Sequence, residues 1–209
     1  MESRLIKSLI IRNDLEEAKS EVLAKGLLLS IAHLKTALAA FSNLNELERG
    51  LRPIYKTNPE LSQRYSLVRD KVEFFSYLRN KFVGHLTDDL LNKTVEWKPE
   101  ILLSLEGEHD PNTILIYNFS ILETAINTYV DDVGAHKIFD TETDLAYPPD
   151  FNRFQETFLA SIDLSSEFLR SVEIILKPMI SPPNEGSAIF ELWTKAGLTE
   201  FTYIRGKGR

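Results

Sequence analysis

The amino-acid sequence predicts an all-α fold, a bundle of four to five long helices. Three observations carry that expectation. Apolar residues recur at threes and fours over long stretches. Capping residues stand at helix-start spacing ahead of several of those stretches. No internal repeat and no sustained heptad turns the pattern into a fibrous rod. With 209 residues, 43% hydrophobic and 26% charged, the chain can bury one well-packed core. Residues 1–180 read as the bundle domain. Residues 181–209 read as an extension with one short helix and a basic tail, Arg205, Lys207 and Arg209.

The first long helix is expected over 14–41. Asn13 and Glu16 have capping-box spacing, and Leu15, Ala18, Val22, Leu23, Leu27, Ile31, Leu34, Leu38 and Phe41 then recur at threes and fours. Gly26 weakens its middle by about 1 kcal/mol relative to alanine, and the pattern continues through it. A short helix follows Asn43, with Glu46 as its capping partner, and ends at Gly50; Pro53–Asn58 reads as a linker. Asn58-Pro59-Glu60 opens the third helix with a capping amide, a first-turn proline and an early acid. That helix is expected to reach about Gly84, with Leu67, Val68, Val72, Phe75 and Phe82 in the core.

Thr87 to Pro111 breaks the rhythm. Ile101–Leu105 has the makings of a short strand, and Trp97 is expected to fold back on the bundle. Asn112 or Thr113 opens a fourth long helix, with Ile114, Tyr117, Ile121, Leu122, Ala125 and Tyr129 inward, stopping near Gly134. An acidic loop over 135–149 leads to a fifth helix capped by Asp150. Its core face is Phe151, Phe154, Phe158, Ile162, Leu169, Val172 and Leu176, and Pro178 ends it. Ser181-Pro182-Pro183 is a hinge-like break before a terminal helix over Ala188 to Lys195, where Leu192 and Trp193 form a candidate anchor.

Composition narrows the chemistry. The absence of cysteine excludes disulfides, thiolate metal sites and a cysteine nucleophile. The histidines, at 33, 85, 109 and 136, show no helical zinc-hydrolase spacing. His33 reads as a packing residue, and His109 and His136 as surface loop residues. No apolar run approaches the ~20 residues of a membrane span, and Met1-Glu2-Ser3-Arg4 leads into a polar helix, so a soluble, cytoplasmic protein without a membrane partner is expected. A net charge of −7 argues against stable DNA binding through broad phosphate neutralisation. It leaves room for brief RNA contact through a local patch around Arg64, Arg69, Lys71, Arg79 and Lys81.

The most informative run is Arg79-Asn80-Lys81-Phe82-Val83-Gly84-His85. On an α-helix Arg79 falls within the apolar stripe, where leucine would be expected. A guanidinium cannot shed its charge, so it must be paired or must face a cleft that admits an anion. His85 lies about 120° around that helix, so it meets Arg79 only across a groove or a two-fold axis.

Arg79-Asn80, four intervening residues and His85 resembles the arginine, polar residue, four positions, histidine motif of the HEPN domains. The wording from Tyr77 to His85 looks particularly like members related to abortive-infection proteins. The resemblance covers one helix specifically and residues 10–175 by helix order. It implies a HEPN-like helical bundle, a homodimer whose cleft carries the motif, and metal-independent RNA cleavage in a toxin or phage-defence setting, with an antitoxin or other protein as a further partner. In such cleavage His85 would transfer protons, Arg79 would grip the phosphate, Asn80 would orient a phosphate oxygen or the imidazole, and Lys81 would assist. No cofactor is called for. The alternative is a non-catalytic interaction or regulatory module, in which Arg79 pairs with an acid such as Asp88 and the Leu192–Trp193 anchor binds a protein.

Overall fold

The computed structural model describes residues 1–105, 110–181 and 187–200, with Ser187 and Ala188 described in backbone only. His109, Pro182-Pro183 and the tail arginines lie outside the described residues. The fold is all-α, but it is not four or five long helices. Among the described residues it comprises eight α-helices, a π-helical turn and three short 3-10 segments. No sheet forms among the described residues, which show an isolated antiparallel bridge between Val130 and His136. None of the described helices is long and apolar enough to cross a membrane.

Helix α1 spans Glu2–Lys25, well before the capping signal at Asn13. Ser8, Ile11, Leu15, Ala18 and Val22 are buried at spacings of three and four, so the packed face continues upstream of that signal. Gly26 does end the helix. Its φ of 79° is one that side-chain-bearing residues rarely adopt, and its N–H still donates to the Val22 carbonyl. A 3-10 turn, Leu28–Ser30, then leads into α2, Ile31–Tyr55. Helix α2 runs through the expected break at Asn43 and takes Pro53 into its last turn, so no linker begins there.

The expected third helix is divided into three. Helix α3 is Pro59–Ser66 and α4 is Arg69–Leu78, followed by the π turn Arg79–Gly84. The joint between α3 and α4 buries Val68 completely and leaves Leu67 65% exposed, so Leu67 is not a core residue. Helix α5, Asp88–Trp97, occupies the stretch that broke the periodicity; Thr87 caps it by accepting from the Leu90 N–H, and Asp88 and Asp89 sit in its first turn. Pro99–Leu105 is a 3-10 segment and not a strand.

Asp110 caps α6, Pro111–Asn127, by accepting from the Thr113 N–H at 2.8 Å. This helix stops before Gly134, and Ile114 on it faces solvent. Helix α7, Pro148–Leu176, starts ahead of Asp150, whose carboxylate instead accepts from the Asp144 N–H and pairs with Arg153. Helix α8 is Ser187–Gly197.

The core lies where α1, α2, α4 and α7 meet. Phe41 of α2 stacks on Phe75 of α4 at 4.7 Å between ring centres, and Phe158 of α7 approaches Phe75 edge-on at 5.6 Å. All three rings are fully buried. Pairs from Arg12 to Glu173 and from Glu16 to Arg170 fix α1 antiparallel to α7.

Candidate functional site

Two elements build the site. Helix α4 is locked to α2 by the Phe41–Phe75 stack and by the Ser76 hydroxyl, which donates to the Phe41 carbonyl at 3.3 Å. At Arg79 the backbone widens into the π turn, so the His85 N–H reaches the Asn80 carbonyl at 3.2 Å, five residues back. π turns inserted in α-helices recur at functional sites. Here the widening lets Phe82 bury its ring while Asn80, Lys81 and His85 remain exposed. His85 itself has left the helix, with φ −144° and ψ 101°. The helical-wheel angle between Arg79 and His85 therefore does not describe the molecule.

Arg79 is half-buried, not sunk in the apolar stripe. Its Nη1 donates to the Asn80 side-chain oxygen at 3.2 Å. Gly84 makes room for it: a Cβ there would stand 3.1 Å from that same nitrogen. Among the described residues Arg79 has no carboxylate partner. Asp88, the acid with which the alternative reading pairs Arg79, instead shares the first turn of α5 with Asp89, where the helix dipole favours both.

Arg79 and Asn80 line a polar cleft of about 230 Å³ together with Ser42, Asn43, Glu46 and Arg49 of α2. Glu46, which lines the same cleft, pairs with Lys7 at 3.2 Å and makes no ion pair with either arginine among the described residues. A half-buried guanidinium and an exposed one, set among amides and hydroxyls, suit an oxyanion. Arg49 was missed by the sequence reading. Ser42, Glu46 and Arg49 follow at spacings of four and three and so share one polar face of α2, but that helix carries other polar residues, among them Lys35, Asn45 and Arg52, so the spacing alone does not single out Arg49.

The structure brings Arg79 and Asn80 together in the cleft, and His85 is not among its lining residues. Lys81 does not line the cleft either; its ammonium lies 5.8 Å from the centre of the Tyr77 ring. Beneath the turn, the Lys35 ammonium lies 4.8 Å from the Phe82 ring centre and donates to Asn118, and its burial lowers its pKa. Among the described residues, no three His, Asp or Glu side chains converge to hold a metal ion.

Of the other histidines, His33 is half-buried. His136 is half-buried too and is tied down by hydrogen bonds: its Nε2 bonds to the Ile126 carbonyl at 2.9 Å, and its Nδ1 accepts from the N–H groups of Ile138 and Phe139. Two donors to Nδ1 require the neutral tautomer with the proton on Nε2. Burial lowers its pKa accordingly. Comparison of the chain with known protein families, with characterised proteins and with solved structures gave no match.

Proposed function

We propose that this protein is a metal-independent RNA endonuclease of the toxin or phage-defence type. The observation that carries the reading is the uncompensated Arg79, held half-buried in a polar cleft with Arg49 and Asn80 by a π turn that ends at an exposed histidine. The resemblance of Arg79, Asn80 and His85 to the HEPN motif supports the same reading. In it, Arg79 and Arg49 hold the scissile phosphate, and Asn80 positions the Arg79 fork. The ribose 2′-hydroxyl attacks phosphorus as a base takes its proton. The P–O5′ bond breaks as an acid protonates the leaving oxygen, giving a 2′,3′-cyclic phosphate and a 5′-hydroxyl. His85 is the proton-transfer group, and a second copy of the chain supplies the second imidazole.

The deciding assay is cleavage of labelled single-stranded and transfer RNA in EDTA. Wild type is expected to cleave, and His85→Ala and Arg79→Ala to lose at least about 100-fold, the scale of one general acid–base or charge-stabilising group. Arg49→Ala is expected to weaken RNA binding more than turnover. Cleavage that survives in His85→Ala, or that the chelator abolishes, overturns the mechanism.

A further inference from the structure

Between α6, the 3-10 segment Pro99–Leu105 and the loop before α7 lies a second hollow, of about 710 Å³, which Arg79 does not line. A volume of that order suits a small molecule. Its walls are chiefly Leu28, Ile101, Leu103, Ile116, Phe119 and Leu145. Three of these reach the surface: Leu28 is 45% exposed, Ile116 53% and Leu103 80%. Apolar surface gathered in a concavity is unfavourable in water, and a ligand that covers it recovers the loss.

A few polar groups interrupt the apolar walls. Ser120 and Glu123 stand one turn apart on one face of α6. Ser120 is only 6% exposed, yet its hydroxyl has no hydrogen-bond partner among the described residues; only its carbonyl is used, by the Thr124 hydroxyl. A buried hydroxyl in that state is costly unless something entering the hollow bonds to it. Glu123 is buried and takes the Lys98 ammonium on its two oxygens, at 2.7 and 2.9 Å, and the Leu145 N–H at 2.8 Å. Asp144 lies 3.9 Å from that ammonium, beyond hydrogen-bond length. Lys98 carries three N–H groups and so keeps at least one to give.

These groups define the head of the ligand. Lys98 donates and the Ser120 hydroxyl donates or accepts, so an accepting oxygen suits both. A carboxylate suits them poorly, because Glu123 already balances Lys98 and the exposed Glu100 adds negative charge on the same hollow. An ammonium fares no better: the buried carboxylate is already occupied, and a second cation beside Lys98 would be buried unpaired. We propose that the hollow is a binding site for an uncharged, mainly apolar small molecule whose one polar end, a hydroxyl or carbonyl oxygen, bonds to Ser120 and Lys98.

Fluorescence titration of the full chain with diphenylhexatriene, a hydrocarbon that emits on leaving water, tests this. One saturable site is expected. Decanol is expected to displace the probe at concentrations at least about tenfold below those needed of decanoate or decylammonium, which share its chain and differ in head charge. Ile116→Glu and Leu103→Glu, each at an exposed wall position, are each expected to weaken probe uptake at least about tenfold with far-ultraviolet circular dichroism unchanged. Ser120→Ala is expected to leave uptake of the hydrocarbon unchanged and to weaken decanol about three- to tenfold, the worth of one hydrogen bond. Absence of saturable uptake overturns the inference and leaves the hollow to a peptide segment, of this chain or of another protein. Uptake that neither wall variant weakens places the probe elsewhere and overturns it too. So does a charged head that displaces the probe better than decanol does, or decanol bound as tightly by Ser120→Ala as by wild type. Probe emission is read and not RNA cleavage, so this outcome is separable from that of the nuclease assay.

Discussion

At Arg79 a guanidinium takes a position where helical spacing calls for leucine. It stays there because Gly84 leaves it space and Asn80 offers it an acceptor. His85, six residues on, is carried out of the helix by the widened turn, so neither residue's setting follows from its spacing alone. His136 shows the same dependence on context and gives a test. Its imidazole ties Ile126 to the backbone of Ile138 and Phe139, and the fold favours the neutral ring chiefly through burial, with Arg153 adding to the effect. The folded pKa lies below the ordinary 6.5, so the unfolded chain binds the proton more readily. This contribution to stability is therefore full above about pH 6.5 and declines as pH falls toward the folded value. Thermal midpoints measured at falling pH are expected to drop through that window. His136→Gln should flatten this component of the pH dependence while lowering the midpoint at neutral pH.

At the scale of elements, the punctuation that mattered was backbone conformation. Gly26 ends α1 with φ 79° and ψ 156°, a region open essentially to glycine, and nothing lies within 4 Å of where a Cβ would stand. Gly26→Ala is therefore expected to cost about 1–3 kcal/mol through backbone strain alone. Urea denaturation measures it, and a loss near zero would show that α1 and α2 can run on through this joint. Asn13 and Glu16 carry a capping signal that the fold does not use, since Asn13 lies inside α1 and Glu16 pairs with Arg12 and Arg170. The Thr87 cap with Asp88 and Asp89 is a signal the fold does use, for a helix that apolar periodicity alone did not reveal. Between α3 and α4 no glycine or proline marks the break. Burial of Tyr65 and Val68 on either side of an exposed Leu67 decides it.

For the whole molecule, stability is concentrated in the aromatic seam of α2, α4 and α7. Phe75 touches Phe41, Phe154 and Phe158 and is completely buried. Phe75→Ala is expected to cost about 3–5 kcal/mol from lost transfer energy and the cavity left behind; equilibrium unfolding by urea checks it, and a cost under about 1 kcal/mol would mean the seam collapses around the gap. The all-helical class, this core face and the Arg79-to-His85 run were legible in the sequence, because periodicity and residue chemistry are local properties of the chain. So were most inward positions of α7, where Phe154, Phe158, Ile162, Leu169, Val172 and Leu176 are all buried. The division into eight α-helices among the described residues, the π turn, the convergence of Arg49 with Arg79 and the hydrogen-bonded setting of the half-buried His136 were decided by tertiary structure. Each depends on a contact between segments far apart in sequence: α2 against α4, or the end of α6 against the loop that follows. Helical spacing says which residues share a face, and only packing says which face that one meets.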